Sequence, residues 1–360
     1  MTKYERDNIQ AMQGYIWGEQ PDNGQTIKLN TNENPYPPSP KVDEVLSQAT
    51  GASLRQYPNP LADPLRDSIA LQHQLTRDHI VMTHGGDEAL RLAITTFVEP
   101  KGVFGMAEPS YSLYPVLAAV QDATVARVQL EQDWELPLDT VTQLNQQGAA
   151  LTCLVNPHAP SGTLMQMSAL TAFADELDGV LLIDEAYVDF VDPQSAYDSK
   201  SLVKQFPNVL ILRTFSKGYG LAGLRLGYLM GDPSLIQPII GKTRDSYNID
   251  HISQQIGNAA FGDQEYASET WRRVRDERVR VERALGQLGF VCPPSQANFL
   301  LASVAPTSSH SAKGIYLALK ERGILVRYFE TDRLADKLRI SVGTPEENNM
   351  LIEHMTELLV

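Results

Sequence analysis

Cysteine is nearly absent: Cys153 and Cys292 are the only two in 360 residues, far apart and each beside apolar neighbours. Two such thiols cannot build a disulfide framework, and the expectation is a reducing compartment with both sulfurs buried and unpaired. Positive charge is also scarce. Lysine plus arginine total 30 against 44 aspartates and glutamates, a net charge of -14, which argues against a nucleic-acid or anionic-membrane surface. No apolar run reaches the length of a bilayer crossing, and Met1-Thr-Lys-Tyr-Glu-Arg-Asp7 lacks the apolar core of a secretion signal. A cytoplasmic protein is expected. Internal repeats and low-complexity segments are missing as well. What remains is an ordinary globular composition, 42% hydrophobic and 21% charged, in a chain long enough for one large domain and a smaller one.

The one basic stretch, Trp271 to Arg283, mixes arginine with acids and apolar residues at helical spacing. It reads as the solvated face of a long helix over 266–288. Residues up to about 45 are rich in Pro, Asn and Gly, which predicts an extended arm followed by a loop. Strands and helices then alternate. Strands are predicted at 80–83, 103–107, 124–128, 151–155, 180–183, 209–212 and 226–230, with helices such as 87–97, 111–120 and 168–177 between them. That order predicts an α/β fold, a mostly parallel sheet with helices on both faces. Short strands at 297–302, 325–328 and 337–342, with helices at 311–322 and 346–359, describe a smaller α+β domain. The expected organisation is an N-terminal arm over 1–45 packing with the small domain, a large domain over 46–265 and the small domain over 266–360.

The densest chemistry lies in Thr214-Phe-Ser-Lys-Gly-Tyr-Gly-Leu-Ala-Gly-Leu-Arg225, directly after an apolar strand. Its small residues let backbone close on a ligand, while Ser216 and Arg225 are natural partners for a phosphate. Lys217 can form an imine with an aldehyde. Phosphate plus imine points to pyridoxal 5'-phosphate. The same residues contain Gly218-x-Gly220-x-x-Gly223, a dinucleotide fingerprint if a helix follows, or simple turns if nothing does. A nicotinamide-dependent dehydrogenase therefore stands as an alternative.

Other strand ends carry matching chemistry. Asp184 closes Val180-Leu-Leu-Ile-Asp184, where a buried carboxylate can hold a proton on a pyridine nitrogen; a turn cap is the plainer reading. Tyr187 follows it within reach of the same ring. Thr83-His-Gly-Gly-Asp-Glu-Ala-Leu90 places two glycines before a helix whose first amides, at Gly86 and Asp87, suit an anion or an ordinary N-cap. Tyr111, in Pro109-Ser-Tyr111, is an aromatic able to stack on a pyridine ring. No metal-ligating cluster is apparent.

Together these motifs, in this order across nearly the whole chain, resemble the aspartate-aminotransferase fold family, pyridoxal-phosphate fold type I, and within it the histidinol-phosphate aminotransferase branch. The resemblance implies Lys217 as the lysine that carries the cofactor, Asp184 on the pyridine nitrogen, Tyr187 at the ring hydroxyl O3' and Tyr111 stacked on the ring. It implies Gly86, Asp87, Ser216 and Arg225 around the phosphate, with Thr214 nearby and Asn156 in the cofactor pocket. Tyr57, in Arg55-Gln-Tyr-Pro58, matches a tyrosine that reaches the neighbouring subunit's phosphate, which implies a homodimer. The implied substrates are a small-molecule amino donor and a 2-oxo acid, foremost L-histidinol phosphate and 2-oxoglutarate. Arg339 and Arg327 on neighbouring predicted strands would receive the donor's anionic group, and Tyr15 of the arm would close over it. Aromatic amino acids are the close rival donors, because Tyr15, Trp17 and Tyr328 would suit a ring. A decarboxylase or racemase could use the same parts. A ligand sensor fused to a DNA-binding module is disfavoured by the acidic charge.

One position departs from the family pattern. Where an asparagine usually precedes Pro-[Thr/Ser]-Gly and donates to O3', this chain reads Asn156-Pro-His-Ala159-Pro-Ser-Gly162. Alanine cannot donate, so Asn156 or His158 is expected to compensate, or the ring to titrate at a shifted pH.

Overall fold

The computed structural model describes residues 4–21 and 26–359. The arm is not wholly extended. It opens with a short helix, α1 (Asp7–Ala11), that buries none of its residues, and later supplies strand β1 (Ile27–Leu29).

Strands β2 (Ile80–Thr83), β3 (Val103–Glu108), β4 (Thr124–Gln129), β5 (Ala149–Val155), β6 (Val180–Asp184), β7 (Val209–Thr214) and β8 (Gly227–Gly231) form one sheet of order β2-β8-β7-β6-β5-β3-β4. All pairings are parallel except those of β8, which runs antiparallel to both neighbours. The sequence explains the burial. Leu181, Ile183 and Ile211 enter one apolar core, while Leu182, Leu210 and Leu212 enter a second on the opposite face. Successive strand residues point to opposite faces, so a strand that is apolar throughout demands cover on both sides. Each such side chain, fully withdrawn from water, stabilises the sheet by about 1.5–3 kcal/mol before entropy is counted.

The cover comes from α2 (Lys41–Gln48), α3 (Asp63–Gln72), α4 (Gly85–Phe97), α5 (Leu113–Val120), α6 (Thr140–Gln146), α7 (Met167–Glu176), α8 (Lys200–Gln205), α9 (Pro233–Pro238) and α10 (His251–Phe261). Helix α11 (Gln264–Gln287) then leads away from the large sheet. Three of its six arginines pair with acids of the same helix, Arg272 and Arg273 with Glu269 and Arg280 with Glu277. Arg278 corrects the expectation of a wholly solvated basic run. It is buried, and its guanidinium donates to the carbonyls of Phe190 (3.0 Å) and Ala297 (2.8 Å).

The rest folds around a separate core. Strands β9 (Phe299–Ser303), β10 (Ile324–Tyr328) and β11 (Lys337–Ser341) join the arm in the order β1-β10-β11-β9. Helices α12 (Ala312–Glu321) and α13 (Pro345–Leu359) pack on this sheet through Ile315, Leu319, Leu351 and Met355. Cys153 is buried and Cys292 half-buried, and neither is in a disulfide. Among the described residues, no helix is long and apolar enough to cross a membrane.

Strand direction determines where ligands can sit. The carboxyl ends of β2, β3, β5, β6 and β7 share one rim, and β8 starts there, with Gly227 opposite both Thr83 and Thr214. The glycine turns, Asp184 and Lys217 therefore converge at that rim, the usual place for a ligand in an open α/β sheet.

Candidate active site

Lys217 follows β7 and turns into the cleft, where its Nζ donates to the carbonyl of Thr31 at 2.8 Å. Removal from water lowers its pKa from 10.5 to about 8, helped by the positive charges of Arg339 and Arg225 and opposed by Glu33. The loop can pass this point only as glycine. A Cβ on Gly218 would collide with the carboxylate of Asp189. That carboxyl is itself pushed up to about 7 by burial, although Arg213 pulls it down.

Asp184, at the end of β6, is buried with its Oδ2 accepting from Tyr114 Oη at 2.7 Å and its Oδ1 from the Ala186 amide at 3.1 Å. Burial nevertheless raises its pKa to about 6. Two donors do not satisfy a buried carboxylate that lacks a counter-charge. Tyr187 stands one turn on, its ring edge-on to Phe299 at 5.0 Å and 6.0 Å from Lys217 Nζ. Tyr111 packs edge-on to Tyr114 (5.5 Å) and Tyr15 (5.8 Å), which brings the arm against the cleft.

The hydroxyls, the guanidinium of Arg225 and the start of helix α4 lie together. Helix α4 begins at Gly85, and the preceding His84 makes no side-chain capping bond to its first amides. Gly85 has φ +75°, and a Cβ there would lie 2.9 Å from Arg225 Nη2, so the guanidinium lies directly against the helix start. Arg225 itself is left-handed at φ 58°, an uncommon state for such a residue. It donates to Ser216 Oγ (3.3 Å) and Asp87 Oδ2 (3.1 Å), while Thr214 Oγ1 donates to Ser216 Oγ at 2.9 Å. Hydroxyls, a guanidinium and helix-start amides from three segments thus meet at one place. Gly223 lies inside a single 3₁₀ turn, Ala222–Leu224, and antiparallel β8 comes next. No helix follows the three glycines, so the dinucleotide reading fails.

The two arginines on predicted strands are direct cross-strand partners, Arg327 on β10 opposite Arg339 on β11. Both guanidiniums sit over the Phe329 ring, at 5.3 and 5.5 Å. Arg339 Nη2 donates to Asn30 O at 3.2 Å, while its buried Nε has no partner among the described residues. Two of the aromatics suited to a ring-bearing donor lie elsewhere. Tyr328 stacks on Tyr316 and, being next to Arg327, points to the other face of the sheet; Trp17 is 74% exposed. Tyr57 is 81% exposed and stacks on Tyr247 with ring centres 4.5 Å apart, outside the cleft of its own chain.

The model of class I and II aminotransferases matches residues 24–355. The chain belongs to the class I and II aminotransferase family. A histidinol-phosphate aminotransferase of Trichormus variabilis is 41% identical over the full length of both chains. The crystal structure of histidinol-phosphate aminotransferase from Sinorhizobium meliloti, in complex with pyridoxal-5'-phosphate, shares 25% identity and superposes with a TM-score of 0.89 over 99% of each chain. The same architecture, at 20% identity and a TM-score of 0.77, occurs in L-threonine-O-3-phosphate decarboxylase of Porphyromonas gingivalis, over 92% of this chain and 99% of that one. Architecture alone therefore does not choose the reaction.

Against that family pattern, the loop after β5 departs as its sequence indicates. Ala159 is buried in the same core as Tyr187 and Phe299 and presents only a methyl group. Neither expected substitute is free. Asn156 accepts from the Met165 amide (2.8 Å) and donates to Met165 O and Tyr197 Oη. His158 is bound to Ser161 Oγ (2.7 Å) and Pro109 O (3.0 Å). The residue that does reach Tyr187 is Asn32 of the arm, whose Nδ2 donates to the phenol oxygen at 3.1 Å. Its signal in the sequence is faint, one asparagine among three in Asn30-Thr-Asn-Glu-Asn34.

Proposed function

We propose that this family member is a pyridoxal 5'-phosphate-dependent transaminase that takes the amino group of L-histidinol phosphate and passes it to 2-oxoglutarate. The observation that carries the donor assignment is the facing pair Arg327 and Arg339, with the unpartnered Nε of Arg339 buried between sheet and cleft. A phosphate dianion presents more charge and more acceptor oxygens to two guanidinium forks than a single carboxylate does. Full-length similarity to histidinol-phosphate aminotransferases supports the same choice.

The residues present fit the cofactor. A phosphate would complete the hydroxyl, guanidinium and amide cradle of Ser216, Arg225 and Gly86-Asp87. A cationic ring nitrogen would supply the counter-charge that Asp184 lacks, and Lys217 offers an amine of depressed pKa. When bound, pyridoxal phosphate supplies an aldehyde and an electron-withdrawing ring that stabilises negative charge on the substrate's Cα. The protein's own work is positional and protonic. With the cofactor bound, Asp184 would hold the proton on the ring nitrogen and Tyr187 would donate to the ring oxygen. Tyr111 would cover the ring face, while Tyr15 and the arm would exclude water above the donor. Lys217 Nζ, neutral for a substantial fraction near pH 8, would then take the Cα proton and return it to the cofactor's aldehyde carbon, across the intervening nitrogen.

We also assign Tyr57 to a second subunit's phosphate. Its high exposure and its stacking on Tyr247 leave it at the surface, away from its own cleft, which favours a homodimeric active unit.

The test is to add L-histidinol phosphate, without oxo acid, to the purified protein and follow the visible absorption of its bound cofactor. Bleaching of that band supports the assignment. A band unmoved by histidinol phosphate but bleached by phenylalanine or tyrosine would transfer it to the aromatic donors.

A further inference from the structure

Asn32 does more than touch Tyr187. It is a buried residue held at φ 56°, a left-handed backbone that asparagine tolerates better than most side chains. Three hydrogen bonds pin it. Its amide N–H donates to Ser341 Oγ (2.9 Å), and the Ser341 hydroxyl donates back to Asn32 Oδ1 (3.0 Å). Asn298 Nδ2 donates to the Asn32 carbonyl at 2.9 Å. Ser341 ends β11 and Asn298 immediately precedes β9, so the anchors belong to the small sheet.

These bonds determine a direction. The Ser341 hydroxyl accepts from the Asn32 N–H and donates its own proton to Oδ1, which turns Oδ1 toward Ser341. The other end of the planar amide, Nδ2, is left for Tyr187. Tyr187 Oη therefore accepts, and its single proton is free to point into the cleft. We infer that Asn32, oriented by Ser341, is a positioning residue that keeps the Tyr187 hydroxyl a donor toward the cofactor's ring oxygen, and so replaces in effect the missing asparagine at Ala159. With a methyl at 159, Tyr187 is the only side-chain donor assigned to that oxygen, and an amide turned the wrong way would capture its proton. Around the phenol stand the guanidinium of Arg339, the amine of Lys217, the carboxyl of Asp184 and the rings of Tyr15 and Tyr111.

The inference rests on the proposed placement of Tyr187 against the ring, and the experiment separates the two. The readout is the pH at which the visible absorption of the holoenzyme titrates. A donor to the ring oxygen favours the more anionic, deprotonated form, so losing it moves the midpoint up. Asn32→Gly removes the amide without straining the left-handed backbone, and Ser341→Ala frees the amide to flip. Ser341→Ala is expected to raise the midpoint by about one pH unit, the weight of one hydrogen bond to a charged oxygen; Asn32→Gly leaves the phenol its proton with nothing to aim it and should raise the midpoint by less. Ser341→Thr keeps the hydroxyl and should titrate like the parent. Tyr187→Phe should raise the midpoint as well, and adding Asn32→Gly to it should change nothing more, because the amide acts only through the phenol. Parental midpoints for Asn32→Gly and Ser341→Ala beside a shifted Tyr187→Phe would overturn the role of Asn32 alone. An unshifted Tyr187→Phe would overturn the placement of Tyr187 and this inference with it.

Discussion

Lys217 Nζ lies 2.8 Å from the main-chain carbonyl of Thr31, a neutral acceptor contributed by the arm. A carbonyl orients an ammonium without neutralising it, which leaves desolvation free to lower the lysine's pKa to about 8. At pH 7.5 the neutral fraction rises from about 0.1% for a pKa of 10.5 to about 25% for a pKa of 8. Only the neutral amine attacks an aldehyde. Capture of pyridoxal phosphate by the apoprotein should therefore accelerate about tenfold per pH unit below pH 8 and level off above it, followed by stopped-flow absorbance. A rate still climbing at pH 10 would show an ordinary lysine, and Lys217→Ala should abolish capture.

Asp184 predicts a stability effect of opposite sign in apo and holo protein. Its folded pKa of about 6 lies above the ordinary carboxyl value of 3.8. The folded form thus binds a proton more tightly, and stability falls as pH rises from about 4 through 6. Asp184→Asn removes that penalty. The apo variant should melt higher than the apo parent at pH 7.5, by on the order of 2 kcal/mol, with the gap closing below pH 4. Holo protein should show the reverse, because the amide offers no charge to the ring nitrogen. Melting curves with and without cofactor, at both pH values, test the pair.

Restoring the family's asparagine should move the cofactor's titration. Ala159→Asn would add a second donor near the ring oxygen and lower the midpoint of the visible band by about one pH unit. An unchanged titration curve would show that residue 159 does not reach the ring.

The arginine pair separates the donors. Arg327→Ala should reduce kcat/KM for L-histidinol phosphate by about 10- to 100-fold, as expected for loss of a charge-assisted bond. Phenylalanine, if accepted at all, should suffer less. Arg339→Lys keeps the charge but loses the planar fork and should weaken both donors. Equal losses for both donors in Arg327→Ala would remove the case for a phosphate between the two strands.

Much of this protein can be read before it folds, for identifiable reasons. The large-sheet strands announce themselves as apolar runs such as Val209-Leu-Ile-Leu212, because burial on both faces leaves no room for polar alternation. Lys217, Asp184 and Arg225 are legible from their neighbours at strand ends and glycine turns. What escapes is long-range. β1 is three residues of an otherwise irregular arm, with only Leu29 buried, and its partner lies at the far end of the chain. Arg278 looks like the arginines around it until the carbonyls of Phe190 and Ala297 converge on it. Asn32 means nothing without Tyr187 and Ser341. Tyr328 misleads for a related reason, since composition cannot say which face of a strand an aromatic occupies, while Trp17 lies exposed in the irregular arm.

The pairing of Ile27 with Ile324 also bears on how the enzyme comes into being. It closes a loop of roughly 300 residues, and contacts of such long range are made late because closure entropy must be met before they reward it. During synthesis the arm emerges roughly 300 residues ahead of the strand it joins. The large sheet can therefore collapse around an unfinished cleft in which Lys217 still lacks Thr31 and Tyr187 still lacks Asn32. Maturation of the active site then waits on a strand made long after the sheet that carries Lys217.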